Sequence, residues 1–417
     1  MSSLSNNSLV CITGAVAVGF VVGTLWKSYF QRIVYALKKN PNHQLRKEED
    51  AIYVGIDLGG TTIGVAVVNS VGNKLASAAA AISDGNQYNT NNNGNPRSVD
   101  SVVGLMCALV HEALNLARVE NNSVHMSIDN VVAFGIGAPG LLNISKGTIQ
   151  AIANFEWTDV HITNIVAKRL QVDTARVYLE NDANAAILAE LWTGAGKEKK
   201  NVLMLTLGTG VGCAIMSSGH LLRGCSGDAG EVGHTIIVPN GRVHGTTGVR
   251  GIFEAYASAT AVVARVDEEL QSCPIPSPLR QLQAAGTLTC AAIFQYSGLF
   301  KEQLSEEFRE QLNTGVATDA KCSIAKKIVG QTIQYIGIGC INVCRCYDPE
   351  IVIITGGMTG AGNSFLNAIR DAYCEHHWNI TAPNRNRIVL ASCGTDAGAV
   401  GAAAAGFLGT HGTFDFL

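Results

Sequence analysis

The sequence predicts an α/β protein with two lobes, a ligand-binding cleft between them and an N-terminal transmembrane helix. The chain has 417 residues with 47% hydrophobic content, which is enough for two or three domains with large buried cores. Two glycine-rich hairpins, GIDLGGTTIGVAVV and LTLGTGVGCAIM, stand at similar places in its two halves. The first 50 residues contain an uncharged apolar run followed by basic residues. These observations together define the predicted fold class.

The N-terminal segment, residues 1–50, predicts a membrane anchor and a basic linker. The run Ser8–Trp26 carries no charge and has the ~18 to 20 residues needed to cross a bilayer as a helix. Six Lys or Arg residues follow it before the first acidic residue, Glu48. Because a signal peptide carries its positive charge before the apolar run, this order favours an uncleaved anchor with the body of the protein in the cytosol.

The small lobe is predicted to span residues 51–181, with a C-terminal helix at 396–417 returning to it. AIYVGIDLGGTTIGVAVVNSVGNKLA indicates two strands joined by a glycine turn, because β-branched residues flank Gly59 and Gly60. A helix, the strand NVVAFGIGAPG, a second helix and the strand ARVYLEND follow. The large lobe is predicted at residues 182–395, with a helix, the second glycine hairpin, a mainly helical stretch and the strand EIVIITGG.

The glycine turns predict a phosphate-binding site. A turn without Cβ atoms presents its N–H groups to phosphate oxygens, and a Thr hydroxyl adds a donor. One such hairpin is more often an ordinary β-turn. Two of them, together with a third glycine turn in ITGGMTGAG, favour a nucleotide clamp between duplicated lobes.

Two aspartates are candidates for chemistry. Asp182 follows Asn181 where a strand ends and a helix begins, so it is either the helix N-cap or a carboxylate that takes a proton from a substrate hydroxyl. Asp57 lies inside the apolar strand YVGIDLGG, which is costly unless its carboxylate is paired or binds a cation. The residues alone leave both choices open.

Composition and cysteine spacing exclude several other classes of protein. A formal net charge of −3 offers no concentrated basic surface, so no nucleic-acid partner is expected. The 12 cysteines lack the spacing of a disulfide scaffold and favour reduced cytosolic thiols. Cys340, Cys344 and Cys346 fall within a helical apolar pattern and are predicted to be buried helix residues rather than metal ligands.

The motifs resemble those of the ROK sugar kinases, in the hexokinase, actin and Hsp70-like ATPase superfamily. GIDLGGTTIG, GAPG, NFEWTD, ENDANAAILAE, LGTGVGCAI, GEVGH, FEAYAS, ITGG and GTDAGAVGAA occur in the family's order across residues 51–410. The resemblance implies a two-lobed ribonuclease H-like or actin-like ATPase fold whose active-site cleft binds a sugar and Mg-ATP between the lobes.

The resemblance also implies roles for individual residues. Asp182 would be the general base that deprotonates the sugar 6-hydroxyl, and Asp57 would hold Mg²⁺ through water. The implied sugar-binding residues are Asn181, Asp182, Glu231, His234 and Glu254. The implied nucleotide-binding residues are Asp57, Gly59, Gly60, Thr61, Thr62, Gly208, Thr209, Gly210, Gly356 and Gly357.

One part of the family pattern is missing from this sequence. The family's loop carries a zinc site built from the His matched by His234 and three Cys, and Glu254 places Gly245, Thr247 and Ile252 at those three Cys positions. None of these residues supplies a thiolate, so we predict no structural zinc. We expect His234 to be oriented instead by Thr246 or Thr247 and His244 to be exposed. Apolar packing of Ile236, Ile237 and Phe253 is expected to keep the loop ordered.

The resemblance implies an ATP-dependent hexose 6-kinase, with NFEWTDV and AGEVGH most similar to glucokinases. An N-acetylmannosamine or N-acetylglucosamine kinase stays an alternative, because such members share the Asn-Asp and Glu-x-Gly-His residues. The non-enzyme alternative is a ROK-type sugar sensor or regulator, which would need a DNA-binding helix-turn-helix where this chain has an apolar run. The resemblance further implies a homodimer. The anchor implies a kinase facing the cytosol on the outer mitochondrial membrane or the endoplasmic reticulum.

Overall fold

The computed structural model describes residues 51–88, 95–121, 126–152, 155–225, 229–273, 277–300, 323–378 and 380–412. The chain divides into two units, Met1–Ala51 and Ile52–Leu417, and all of the elements below belong to the second. The predicted transmembrane helix, Ser8–Trp26, lies outside the described residues.

The first sheet has five strands in the order β3-β2-β1-β4-β8. The strands are β1 (Ile52–Leu58), β2 (Thr62–Asn69), β3 (Lys74–Ala81), β4 (Val131–Ala138) and β8 (Val177–Asn181). Strands β1, β2 and β3 form an antiparallel meander, whereas β4 and β8 run parallel to β1. The segment predicted as two strands therefore forms three, because its end, NKLA, pairs with β2 after a tight turn.

Helices cover both faces of this sheet. On one face, helix α1 (Val99–Glu120) packs against β2 and β3, and its buried side chains join those of Val54 and Ile56 in a common core. On the other face, helix α10 (Ala397–His411) lies on β1 and β4, and Phe407 contacts Tyr53 edge to face. Among the described residues, α1 is the one helix long and apolar enough to cross a membrane, and this packing makes it a core helix.

Glycines let α10 approach its neighbours at backbone distance. A Cβ on Gly55 of β1 would lie 1.8 Å from the carbonyl oxygen of Ala399, and one on Gly135 of β4 would lie 1.6 Å from that of Ala402. Helix α3 (Asp182–Trp192) packs against α10 in the same way, because a Cβ on Gly401 would lie 1.6 Å from the Ala185 oxygen. The close packing of the alanine-rich helix α10 therefore depends on glycines, which have no Cβ, at its contact points.

A small antiparallel sheet, which the sequence analysis did not predict, extends from the end of β4. Its strands are β5 (Leu141–Asn143), β6 (Thr148–Ile152) and β7 (Trp157–Val160). Helix α2 (Ile162–Leu170) follows and returns the chain to β8. The strands are short and the pairing of β5 with β6 shifts register between Leu141 and Leu142, which explains why no clear alternation marks them in the sequence.

The second sheet repeats the arrangement of the first. Its order is β11-β10-β9-β12-β13, formed by β9 (Val202–Leu207), β10 (Val211–Ser217), β11 (His220–Leu221), β12 (Ile351–Thr355) and β13 (Ile388–Leu390). Again the first three strands form an antiparallel meander and the last two run parallel to the first. The duplication suggested by the two glycine hairpins is therefore present in the topology.

Helices supply the other layer of the second core. They are α4 (Glu254–Ala257), α5 (Ala259–Ser272), α6 (Leu279–Ala284), α7 (Cys290–Ser297), α8 (Ser323–Tyr347) and α9 (Gly362–Glu375). Cys340, Cys344 and Cys346 lie in α8, as their helical pattern predicted, and Cys340 and Cys344 are buried. The predicted burial is wrong for Cys346, which is exposed near the end of the helix. The mixed α/β fold is confirmed. A lobe boundary at Asn181–Asp182 stays a prediction, because α3 packs against α10 and also against β9 and β10.

Candidate active site

The first glycine turn joins β1 to β2 and is open above its tip. The Gly59 N–H donates to the carbonyl oxygen of Thr62 at 3.0 Å, and the Ile82 N–H donates to that of Thr61 at 2.9 Å. A Cβ on Gly60 would meet nothing within 4 Å. Gly60, Thr61 and Thr62 are all exposed. Backbone hydrogen bonds therefore hold the turn in place, and its exposed tip is open to a ligand.

The second glycine turn joins β9 to β10 and is fixed by the start of α5. The Ala259 N–H donates to the carbonyl oxygen of Gly208 at 2.8 Å, and the Thr260 hydroxyl donates to that of Thr209 at 2.8 Å. Gly208 has open space where a Cβ would stand. Gly210 does not, because its Cβ would lie 2.5 Å from Oε2 of Glu254. This turn thus combines an open tip with a carboxylate packed behind it.

A mostly apolar cavity of about 590 Å³ begins at the second turn. Gly208, Thr209 and Gly357, three of the residues predicted to contact a nucleotide, line it. Gly356 does not line it: its φ is +96° and a Cβ would lie 2.4 Å from the Leu207 oxygen, so this glycine permits a close backbone approach instead. The other residues that line the cavity were not predicted from the sequence. The main side chains are those of Thr289, Cys290, Phe294, Gln295, Phe300 and Met358.

Asn181, rather than Asp182, is the N-cap of α3. The Asn181 side-chain oxygen accepts the N–H groups of Ala183 at 3.0 Å and Asn184 at 3.2 Å. Asp182 is the first helical residue, and its Oδ1 accepts the Ala183 N–H at 2.8 Å. The Asp182 residue is exposed, yet the protein around its carboxylate displaces enough water to raise its pKa, and the charge of Glu231 adds to this. The capping role is therefore filled by another residue, which leaves the Asp182 carboxylate open to a ligand.

An ion pair between a buried carboxylate and a partly exposed guanidinium lies next to the Asn181–Asp182 pair and was not predicted. Glu180 is 2% exposed, and its Oε1 accepts both the Asn181 N–H at 3.0 Å and the Asn184 side-chain amide at 2.9 Å. Its Oε2 accepts from the guanidinium of Arg223, which follows β11 of the second sheet. Glu180 therefore fixes the start of α3 and links it to the other half of the fold. Single residues of these types carry no sequence signal for such a contact.

Asp57 lies near the end of β1, and within the part of the chain that the structure describes no Lys, Arg or His forms an ion pair with it. Burial, and secondarily the charge of Asp182, raises the pKa of Asp57 to about 6. Its carboxylate packs against the backbone at the start of α10, because a Cβ on Gly398 would lie 2.2 Å from Oδ2. Two carboxylates that repel each other form an environment suited to a cation.

The raised pKa gives a testable cost to stability. In the folded state Asp57 ionises near pH 6 and in the unfolded state near 3.8, so raising the pH through this window destabilises the fold. A pKa difference of about two corresponds to about 3 kcal/mol, which partial solvent access reduces to about 1 to 2 kcal/mol. We expect Asp57→Asn to unfold at a higher temperature than the native protein at pH 7.5 and at the same temperature near pH 4.

Thermal unfolding across this pH range, followed by circular dichroism, measures the difference. The matched control is Asp348→Asn, whose side chain is 85% exposed and should give no pH-dependent gain. A difference that stays constant with pH would show that Asp57 is not strained by its surroundings.

The loop between β11 and α4 holds two of the predicted sugar-binding residues, Glu231 and His234. His234 Nδ1 lies 2.9 Å from Oε2 of Glu231, and both side chains are open to solvent. The prediction that Thr246 or Thr247 orients His234 is wrong, because Glu231, three residues earlier and one helical turn away, is the closer partner. Glu231 is in turn close enough to Asp182 for its charge to act on it, so these two predicted sites meet.

Glu254 connects this loop to the second glycine turn. Its Oε2 accepts the Val211 N–H at 2.7 Å, and its Oε1 accepts from His244 Nε2 at 2.9 Å. His244 is therefore largely buried, with 14% of its side chain exposed, and the prediction of an exposed ring is wrong. This contact could not be predicted from the sequence, since His244 stands outside the family's motif.

The residues at the three thiolate positions do not fit a zinc ion. Gly245, Thr247 and Ile252 offer no thiolate, and within the described residues no group of three or more His, Cys, Asp or Glu side chains could hold a metal. The glycines at 248 and 251 keep φ values of +71° and +76°. Phe253 is fully buried, but Ile236 is 62% exposed, so the expected packing of Ile236 is wrong.

The fold and the site define a class of protein: an α/β protein with a duplicated core, two glycine turns with open tips and a pair of carboxylates with raised pKa values. The ROK family model matches residues 53–405, and the chain belongs to the ROK family. A glucokinase from Streptomyces coelicolor is 30% identical over 354 residues, which cover 84% of this chain and 96% of that protein.

Two solved structures extend the likeness to three dimensions. The ROK hexokinase from Thermus thermophilus has a TM-score of 0.62 and 27% identity, over 87% of this chain and 99% of that one. A ROK family glucokinase from Streptomyces griseus, solved in complex with glucose and AMPPNP, has a TM-score of 0.57 and 26% identity, over 85% of this chain and 98% of that one.

Proposed function

We propose that this protein is an ATP-dependent glucokinase that converts glucose and ATP to glucose 6-phosphate and ADP. The observation that carries the proposal is the Asp182 carboxylate. It stands at the start of α3, is exposed, is not the helix cap and lies close enough to Asp57 and Glu231 for the charges to interact. Similarity to a glucokinase over nearly the full length of that relative supports the choice of reaction.

In the proposed reaction Asp182 is the general base. It accepts the proton of the sugar 6-hydroxyl as that oxygen bonds to the γ-phosphorus, and the bond from the γ-phosphorus to the oxygen bridging to the β-phosphate breaks to release ADP. The raised pKa of Asp182 makes its carboxylate a stronger base than a solvated one. Most of the remaining barrier is lowered by positioning and charge neutralisation.

Sugar and nucleotide would take different parts of the cleft. Asn181, Glu231, His234 and Glu254 would hydrogen-bond the sugar hydroxyls. The open glycine turns would hold the phosphates through Gly59, Gly60, Thr61, Thr62, Gly208, Thr209 and Gly210. The apolar cavity next to Gly357 would take the adenosine, which suits its Phe294 and Met358 side chains.

Mg²⁺ fits the same site. Asp57 offers an oxygen donor whose charge no described residue pairs, and the ion would be held through water and would neutralise charge on the transferred phosphoryl group. The role of Asp57 is then to hold that charge opposite the first glycine turn, at the stability cost described above.

The substrate is tested by coupled ADP release from the full chain in detergent micelles. Glucose, mannose, fructose, N-acetylglucosamine and N-acetylmannosamine are compared by kcat/KM, where a tenfold preference corresponds to about 1.4 kcal/mol in the transition state. We expect glucose to be preferred at least tenfold. Preference for an N-acetylated sugar would replace the proposal by the alternative kinase, and no ADP release with any of them would favour a sugar sensor.

We also propose that residues 1–50 anchor the kinase in a membrane with the catalytic body in the cytosol. The uncharged run Ser8–Trp26 and the basic residues after it support this. Retention of the full chain in the membrane pellet after carbonate extraction is expected, and release into the supernatant would refute the anchor. Whether the membrane is the outer mitochondrial membrane or the endoplasmic reticulum, and whether the kinase is a homodimer, stay predictions.

A further inference from the structure

The loop that has lost the family's thiolates is closed by hydrogen bonds. The His244 N–H donates to the Val249 carbonyl at 2.8 Å, and the Gly248 N–H donates back to the His244 carbonyl at 2.9 Å. At the base of the loop the Arg242 N–H donates to the Tyr256 hydroxyl at 2.7 Å. These bonds give the loop a defined shape and place His244 on its inner side, with 14% of the side chain exposed.

Both ring nitrogens of His244 have partners. Nδ1 accepts the Thr247 N–H at 3.3 Å and lies 2.9 Å from the Thr247 hydroxyl. Because a backbone N–H can only donate, Nδ1 is the acceptor and the ring proton sits on Nε2. Nε2 then donates to Oε1 of Glu254 at 2.9 Å. The Thr247 side chain, which occupies a lost thiolate position, thus orients the imidazole.

The chain of contacts continues into the phosphate-binding turn. The other oxygen of Glu254 accepts the Val211 N–H at 2.7 Å, directly after the Gly208–Gly210 turn. Only a glycine at 210 leaves room for this carboxylate, since a Cβ there would lie 2.5 Å from Oε2. Glu254 therefore has one oxygen on the phosphate turn and the other on His244. Thr247, His244, Glu254 and Val211 form a continuous path from the sugar loop to the nucleotide side.

We infer that His244 is a positioning residue that couples sugar binding to nucleotide binding through Glu254. This inference rests on the proposed function. A sugar hydroxyl that binds Glu254 contacts a carboxylate that is also held at the phosphate turn. When one ligand orders Glu254 and this turn, the other ligand binds with a smaller loss of conformational entropy. His244 thereby performs, by hydrogen bonding, the ordering that coordinated thiolates would give to this loop.

The test measures coupling by isothermal titration of the full chain with AMPPNP, with and without saturating glucose. In the native protein we expect glucose to strengthen AMPPNP binding at least fivefold, which is within the usual range for coupled sites. In His244→Ala we expect the effect to fall below twofold. His244→Gln keeps an N–H donor at the end of the side chain, so it should restore more than half of the native effect on a logarithmic scale.

The controls separate positioning from folding. His220→Ala removes an exposed imidazole on β11 and should keep the full coupling. Thr247→Val leaves the ring in place without its hydroxyl partner and should reduce the coupling, which tests the path even where His244→Ala fails to fold. Unfolding temperatures of all variants are recorded alongside, because a purely structural role would lower them without changing the ratio of the two affinities.

The possible failures are distinguishable. Native protein that phosphorylates glucose but shows no glucose-dependent change in AMPPNP affinity would overturn the inference and leave the proposed function intact, as would full coupling in His244→Ala or Thr247→Val. Stoichiometric zinc in the purified protein would also overturn it. Native protein that neither binds nor phosphorylates glucose would refute the proposed function itself.

Discussion

Asp182→Asn is expected to lower kcat for glucose phosphorylation about 10³-fold and to leave glucose binding within threefold of native. The magnitude is the middle of the range for removing a general base, about 10² to 10⁴. The amide has the shape of the carboxylate, so it can still accept the Ala183 N–H that Asp182 accepts at 2.8 Å, but it cannot take a proton. Asn181 continues to cap α3, so the helix start should be unchanged.

The measurement is kcat from coupled ADP release together with a glucose Kd from calorimetry. Asp348→Asn is the matched control, because it makes the same substitution at a side chain that is 85% exposed. Asp348 lies just before β12 begins, whereas Asp182 follows the end of β8. Full kcat in Asp182→Asn would assign the base to another residue. A loss of glucose binding as large as the loss of kcat would make Asp182 a sugar ligand only.

Gly401→Ala is expected to destabilise the fold by about 3 kcal/mol or more. Its Cβ would lie 1.6 Å from the carbonyl oxygen of Ala185, which is backbone and cannot rotate away. Overpacking against movable side chains typically costs about 1 to 3 kcal/mol, and here α3 or α10 must shift as a whole. Because α3 begins at Asp182, the shift also displaces the proposed base, so the residual folded protein should have a lower kcat.

Gly330→Ala is the matched comparison for that variant. It makes the same substitution inside α8, where a Cβ would meet nothing within 4 Å, so the better helix propensity of Ala should raise stability by about 0.5 to 1 kcal/mol. Thermal unfolding of the two variants should therefore shift in opposite directions. Equal unfolding temperatures for Gly401→Ala and native protein would mean that α3 and α10 are not packed as described.

The two glycine hairpins and the junction between strand and helix at Asn181 could be predicted from the sequence, because these features depend on local residue types. A run of β-branched residues on each side of Gly59 and Gly60 defines a hairpin wherever it occurs, and the same pattern around Gly208 and Gly210 predicted its repeat. Both hairpins are present, each is followed by two parallel strands, and the Asn181–Asp182 pair stands where a strand meets a helix. The prediction of a hairpin was reliable where the apolar pattern of the strands and the glycines of the turn indicated the same structure.

Contacts between distant segments were not readable in this way. The pairing of Glu180 with Arg223 joins residues 43 positions apart, and nothing local distinguishes either side chain from a solvated one. The cavity beside Gly357 is lined by α7, whose apolar residues follow the same spacing as those of any core helix. Asp182 was left undecided between cap and base for a related reason, since Asn181 suits the capping position equally well.

The loop around His244 shows the limit of a family motif as a guide. The motif identified Glu231, His234 and Glu254 as sugar-binding candidates, which stay predictions, and the absent thiolates were visible as Gly245, Thr247 and Ile252. The contacts that take the place of the metal could not be predicted. Thr247 contacts the ring of His244, three residues earlier, and His244 contacts the carboxylate of Glu254, ten residues later. Only the folded loop brings the three side chains together.

The central claim is that this cleft transfers phosphate from ATP to the 6-hydroxyl of glucose, and the position of the phosphate in the product tests it most directly. Full-length protein is incubated with Mg-ATP and glucose, and the products are followed by phosphorus NMR, with 6-deoxyglucose as the matched substrate that lacks the acceptor hydroxyl. We predict glucose 6-phosphate in equal amount to ADP, and no sugar phosphate from 6-deoxyglucose. Phosphate on another hydroxyl, or ADP with free phosphate and no sugar phosphate, would contradict the account.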